Sequence, residues 1–364
     1  MTKFTKQGLS RRHLFRTPLA FAAGAIAAPS LLSALAGEAK ATGGSSHHGH
    51  PKLDPIYYPV RYFRPDISLR GKLAVITGAS RGNGRAVGEA LRALGVDVIG
   101  TSRDPDSVPN PPAFPLLRLD IADPASVLAF PALLAANAKF QQRGQVDILC
   151  NNAGRMVFGQ IVPIPPTDPA FYFAQRDLGM RTLHSGHVMM TNVMLPLMPP
   201  TGYARIVFTV SSISYLTGFA QPGGSYMDVY NAGKAALRSY ANCLAAAFRD
   251  AQSNIRVSCV HPYAMNTALA EHPNPVYTQP VDANGLSATD PIFNAIVTGG
   301  RQLLANALPP SMIGETYGQL LRMAEPELNV VVGSPREPLA TQGANAFVEQ
   351  GLLDENEVSA LPFR

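Results

Sequence analysis

Cysteine is scarce in this chain, and so is charge. Cys150, Cys243 and Cys259 fall in an expected strand, helix and strand. Their spacing matches no zinc pattern and offers no disulfide framework, so all three read as small buried hydrophobes. Charged residues make up 15% of the 364 and apolar residues 46%, which excludes a disordered chain and favours a globular one. A basic face is also missing. The formal charge of +5 resides in the first 41 residues, where Lys3, Lys6, Arg11, Arg12, Arg16 and Lys40 face Glu38 alone. The other 24 basic and 24 acidic residues cancel. Nucleic-acid binding needs basic residues clustered on the folded domain, and none are clustered there.

What is present begins with a leader. Ser10-Arg11-Arg12-His13-Leu14-Phe15 pairs two arginines ahead of an apolar run from Pro18 to Ala36. Small residues follow, with cleavage expected after Ala34-Leu35-Ala36 or Ala39-Lys40-Ala41. Residues 1–41 resemble a twin-arginine export signal, which implies an exported, periplasmic protein. The alternative is an uncleaved membrane anchor, because the run is nearly long enough to span a bilayer. Pro29 in its middle and the small-residue exit favour cleavage. Residues 42–68 read as a linker and an N-terminal arm. His47, His48 and His50 lie in the polar linker, where no second shell would orient them, so no metal site is expected. Tyr57, Tyr58, Tyr62 and Phe63, broken by prolines, read as an extended arm packed on the domain.

From Lys72 the pattern changes to short apolar runs alternating with helical stretches. Strands are expected at Leu73–Thr77, Val96–Gly100, Val146–Cys150, Arg205–Ser211, Ile255–Val260 and Asn329–Gly333. Helices are expected at Arg85–Leu94, Ala125–Ala138, His187–Met198, Tyr230–Arg249 and Gly299–Leu308. Unalternating strands separated by helices imply a parallel sheet covered on both faces, a three-layer α/β/α architecture. The first turn carries Thr77-Gly78-Ala79-Ser80-Arg81-Gly82-Asn83-Gly84. Glycines permit a tight turn and a close backbone approach to a pyrophosphate, and the helix that follows points free N–H groups at the anion. Because the triplet follows a strand and opens a helix, it stands in the context that a dinucleotide site requires.

The Gly-x3-Gly-x-Gly spacing resembles the short-chain dehydrogenases/reductases, in their compact TGxxxGxG branch. The resemblance covers about Leu69 to Thr267 in several ordered motifs. Asp120 resembles the family's adenine-pocket aspartate, and Asn151-Asn152-Ala153-Gly154 its NNAG turn. Tyr230 to Lys234 matches the YxxxK helix, and Ser212 the serine ending the preceding strand. Pro262 and Thr267 fit the PGxxxT segment, with Tyr263 in place of glycine. The resemblance implies a Rossmann-type doubly wound sheet in one domain over 69–364, a nicotinamide dinucleotide, a small carbonyl or alcohol substrate and homo-oligomers. It assigns Gly78, Ser80, Arg81, Gly82, Asn83, Gly84, Arg103, Asp120, Asn152, Ala153, Gly154, Tyr230, Lys234, Pro262 and Thr267 to cofactor binding.

The second strand ends Gly100-Thr101-Ser102-Arg103, with no carboxylate until Asp104. An acidic residue there would hold a ribose 2′-hydroxyl; positive charge suits a 2′-phosphate. Arg81 inside the glycine loop and Arg103 can bind that phosphate by charge-assisted forks, so NADP(H) is expected.

Tyr230 and Lys234 are four apart on a helix and face the same way. A nearby ammonium is expected to lower the phenol's pKa and make Tyr230 a general acid/base. Lys234 is implied to hold the nicotinamide ribose as well, and Ser212 to hydrogen-bond the substrate oxygen. Tyr226 also precedes Tyr230 by one turn, but only Tyr230 has the lysine four residues later. The interval from Ser212 to Tyr230 is longer than the family's, and Gln221-Pro222-Gly223-Gly224 is expected to form a loop over the site.

Leu183 occupies the position where the family places an asparagine, three residues before Gly186. Leucine cannot hold the water that continues the proton relay; the adjacent His184 is a partial substitute or a packing residue. This departure supports an alternative from another class, an exported NADP-binding sensor or scaffold with little catalysis. Residues 268–326 are expected to form a substrate lid. Met189, Met190, Met194 and Met198 read as core.

Overall fold

Leu73-Ala74-Val75-Ile76 offers no polar face, so as a strand it must be buried on both sides. All four residues are inaccessible. The structure, a computed structural model, describes residues 56–58, 67–156, 169–215, 227–270, 291–326 and 328–333, with 282, 284, 286 and 288. The leader, His47 to His50, the Gln221–Gly224 loop and Tyr226 lie outside them. β1 (Ile56–Tyr58), β2 (Leu73–Ile76), β3 (Asp97–Ser102), β4 (Leu116–Arg118), β5 (Ile148–Asn151), β6 (Ala204–Thr209), β7 (Ile255–Pro262) and β8 (Asn329–Gly333) form one sheet. Its order is β1-β8-β7-β6-β5-β2-β3-β4. β2 to β8 run parallel, and β1 pairs antiparallel with β8, Tyr57 opposite Val332. The doubly wound α/β fold is therefore present. The expected N-terminal arm supplies an edge strand to the sheet.

The helices are α1 (Gly82–Ala93), α2 (Pro124–Ala135), α3 (Ala138–Arg143), α4 (Pro169–Met180), α5 (Gly186–Met194), α6 (Asp228–Asp250), α7 (Pro291–Ala305) and α8 (Ser311–Leu321). Asp123 caps α2 by accepting from the Ala125 N–H at 3.0 Å, with Pro124 in the first turn, where its missing N–H leaves no bond unmade. Two cores lie on the two faces of the sheet. One joins β-strand residues to Val127, Phe130, Met190, Met194 and Leu237, which bears out the core reading of those methionines. The other joins them to Val87, Leu91, Ile313, Tyr317 and Leu320.

Three expectations need correction. Residues 268–326 are not all lid: within them α8 is a core helix packed on α1, with Ile313, Tyr317, Leu320 and Leu321 wholly buried. Gly314 permits the approach, since a Cβ there would lie 2.6 Å from the Ala86 carbonyl oxygen. Cys243 is exposed on α6, whereas Cys150 and Cys259 are buried; only the two strand cysteines are core. The helix expected at His187–Met198 runs on from α4 through a π-turn at Arg181–Ser185 and closes in a 3-10 turn at Leu195–Leu197. Pro196 in that last turn cannot donate to an α-helical bond.

Candidate active site

In a parallel sheet every strand ends on the same side, and a crevice opens where the strand order reverses. Here that point lies between β2 and β5. The glycine loop follows β2 and the Asn152-Ala153-Gly154 turn follows β5, so both reach the crevice. Gly78 and Gly82 have left-handed backbones, φ +66 and +54. Substitution would also collide: a Cβ on Gly78 would sit 2.8 Å from Ala153 Cα, and one on Gly84 2.3 Å from the Gly78 carbonyl oxygen. A Cβ on Gly82 would meet the Thr267 methyl at 3.3 Å. Gly78, Gly82, Gly84, Ala153 and Thr267 are thus brought together.

Hydrogen bonds hold this arrangement. The Thr77 hydroxyl oxygen accepts from the Asn152 and Ala153 N–H groups at 2.9 and 3.0 Å. The Asn152 amide donates to the Thr77 and Gly78 carbonyls at 3.0 and 3.2 Å, and its oxygen accepts from the Thr209 hydroxyl at 3.1 Å. Thr209 in turn lies 2.6 Å from the Tyr317 hydroxyl of α8. Asn152, expected as a cofactor contact, has its side chain committed to bracing the loop.

At the far side of the loop Arg81 precedes α1 with no side-chain cap on the helix and no acidic residue in its first turn. The neighbouring loop begins at Arg103, beyond β3. Both arginines are exposed, and the two loops are tied by Gly78 N–H to Thr101 Oγ1 at 3.2 Å and Ala79 N–H to the Thr101 carbonyl at 2.9 Å. Arg118 of β4 was not anticipated. It donates to the Arg103 carbonyl at 2.9 Å and pairs with Asp104 and Asp106 at 3.1 and 3.2 Å, occupying the nearest carboxylates. Asp120 accepts from the Ala122 N–H at 2.9 Å and stiffens the turn into α2. Ser80 is half-buried, and so is Asn83, although its Oδ1 atom is buried without a partner in the structure.

Tyr230 and Lys234 project from α6 and are 7% and 4% exposed. Lys234 Nζ donates to the Thr209 carbonyl at 2.8 Å and approaches Gly154, whose hypothetical Cβ would be 3.7 Å away. Burial pulls its pKa down to about 8. Tyr230 departs from expectation. Burial raises its pKa, opposed by a hydrogen bond with the Ser211 side chain; desolvation of the phenolate wins over any ammonium effect. Ser212 is 2% exposed and donates to the Pro262 carbonyl at 3.4 Å. The hydroxyl that engages Tyr230 is therefore Ser211, a choice the Ser211-Ser212 dipeptide does not reveal. His187 was also missed. Its Nε2 lies 2.8 Å from the Ala153 carbonyl oxygen, and burial, with the Lys234 charge second, lowers its pKa to about 3. A neutral His187 can donate to that carbonyl. Leu183 is inaccessible and packs with Val229 and Tyr230, while His184 stands edge-on to Tyr240 at 6.4 Å, a packing contact. No metal-binding cluster of His, Cys, Asp or Glu occurs among the described residues, and none of their helices is long and apolar enough to cross a membrane.

The glycine loop and the buried tyrosine–lysine pair meet at one switch point, the arrangement expected of a dinucleotide-dependent oxidoreductase. Residues 72–276, over half of the chain, match the family model for short chain dehydrogenase. The chain belongs to the short-chain dehydrogenase family. It is 43% identical over 93 residues to a 3-oxoacyl-[acyl-carrier-protein] reductase of Salmonella typhimurium, an alignment covering 24% of this chain and 36% of that one. It is 28% identical over 276 residues to a dehydrogenase/reductase SDR family protein 7-like of Drosophila melanogaster, covering 72% and 73%. A short-chain dehydrogenase structure from Streptomyces avermitilis superposes with a TM-score of 0.56 at 25% identity, over 77% of this chain and 93% of that one.

Proposed function

We propose that this protein is an exported, NADP(H)-dependent oxidoreductase that interconverts a carbonyl and a secondary alcohol, with Tyr230 as the general acid/base. The observation that carries this reading is the Tyr230–Lys234 pair, buried on one face of α6 and placed beside the turn that packs on the glycine loop. The loop fits a dinucleotide: its glycines admit no side chain, the first turn of α1 has no side-chain cap, and Asn83 carries an orphaned oxygen. The dinucleotide, when bound, supplies or accepts the hydride. Arg81 and Arg103 would hold a 2′-phosphate, and Arg118 keeps Asp104 from opposing it.

A raised phenol pKa keeps Tyr230 protonated at neutral pH, which suits donation to a carbonyl oxygen in the reducing direction. Ser211 orients the phenol. Ser212 takes its assigned role toward the substrate oxygen only by leaving the Pro262 carbonyl. Lys234, charged below about pH 8, would bind the nicotinamide ribose, as would be usual in the family. Pro262 and Thr267 flank the same crevice. A homo-oligomer remains part of this reading.

The paired-arginine leader supports export of the folded protein, and free NADPH outside the cytoplasm would be scarce. A tightly held cofactor, regenerated by a second substrate, follows. Protein purified from the periplasm and scanned for nucleotide absorbance tests both points; a nucleotide-free preparation contradicts the tight-binding claim. The buried Leu183 favours the second reading, an NADP-binding sensor or scaffold. A screen of carbonyl compounds with NADPH separates the two: turnover lost in Tyr230→Phe supports the enzyme, and turnover that survives it rejects the mechanism.

A further inference from the structure

The surroundings of Tyr230 are one-sided. Its polar partner is the Ser211 hydroxyl, whereas Leu183 and Val229 pack with it in an apolar cluster. Met156, Met180 and Met227 are half-buried against that cluster. Met156 and Met227 also pack against Phe293 of α7, so the apolar surface extends from the acid/base group to the C-terminal helices. Asp228, the charged residue nearest in sequence to Tyr230, is ion-paired with Arg176 of α4. A charged substrate tail laid against these apolar side chains would lose hydration. Half-exposed methionines suit a different occupant. Their flexible, polarizable chains adapt to apolar ligands of varied shape. Leu183 acts in the same direction, replacing an amide beside Tyr230 with hydrocarbon.

We infer that the substrate is an uncharged, lipophilic ketone or secondary alcohol, its oxygen at Tyr230 and its hydrocarbon arms against the half-buried Met156 and Met227, which the fully buried Leu183 and Phe293 back from behind. This rests on the reading of Tyr230 as the acid/base group. Binding extracts hydrocarbon from water, so each added methylene should raise kcat/KM about fourfold until the surface is filled.

The test uses the full chain with NADPH and two series, the 2-alkanones from 2-butanone to 2-decanone and oxo-acids of matching length. The expected result is a rising 2-alkanone series and at least a hundredfold penalty for the terminal carboxylate. Met156→Gln with Met227→Gln should cut kcat/KM for 2-decanone about tenfold while NADPH affinity, measured separately, reports an intact fold. Thermal shift by 2-decanol in the presence of NADP+ gives a readout independent of turnover. A flat series, or oxo-acids used as well as alkanones, overturns the substrate class and leaves the oxidoreductase reading standing. Stabilisation by 2-decanol that is weakened in the methionine variant, with no turnover of any carbonyl, overturns the oxidoreductase reading and supports the apolar site.

Discussion

The glycine loop and the Tyr230 surroundings lie at the same end of one sheet but are built from different materials. Around the loop, a chain of hydrogen bonds runs from Tyr317 through Thr209 and Asn152 to Thr77 and Gly78. Around Tyr230, hydrocarbon dominates among the described residues, and the Ser211 side chain is a polar partner. The difference has a physical basis. A pyrophosphate must be met by backbone N–H groups at fixed positions, so the loop needs rigid, satisfied polar bracing. A proton donor works from a desolvated site, where burial sets its pKa and an adaptable wall can accept varied substrates.

The largest effect should come from the chemical half. Tyr230→Phe removes the proton donor and is expected to lower kcat by about 10²–10⁴-fold without changing nucleotide affinity. If affinity falls in step, the two halves are not separable. Next comes Leu183→Asn, which places an amide among hydrocarbon and should lower stability by about 3 kcal/mol, read by denaturant unfolding. No gain in kcat is expected; a gain would restore the relay that the leucine interrupts. Acid should then weaken the fold. His187 and His261 sit near pKa 3, each lowered chiefly by burial, against an ordinary 6.5. Between those values the unfolded chain binds more protons, so stability falls as pH drops below about 6.5, by about 2 kcal/mol per histidine at pH 5. A flat stability profile from pH 7 to 5 contradicts their neutral burial. Arg81→Ala with Arg103→Ala is the mildest change. Both side chains are exposed, so the loss of NADPH preference over NADH should be about tenfold, measured as a ratio of dissociation constants. An unaltered ratio rejects the 2′-phosphate assignment.

Much of this was legible in the residues. β2, β3, β5, β6, β7 and β8 are close to where unalternating apolar runs placed them, because strands buried on both faces leave that mark whatever they pack against. β4, only three residues long and preceded by prolines, leaves too short a run to recognise. α8 falls inside the segment whose place after the sixth strand implies a lid, yet Gly314 and Gly318 let it approach α1 and Leu94 as a core helix. The adjacent Ser211 and Ser212 show the limit for the site: sequence brings a hydroxyl to the strand end, and backbone direction decides which one reaches the phenol.

By itself the sequence determined the architecture, the glycine loop and the tyrosine–lysine pair, since each depends on local spacing and on periodicity along one element. Only the tertiary structure decided that Asn152 braces the loop, that Arg118 occupies Asp104, that Ser211 faces Tyr230, and that Tyr230 is raised rather than lowered. Those outcomes depend on neighbours tens of residues away and on how completely water is excluded, and neither quantity is carried by any single stretch of chain.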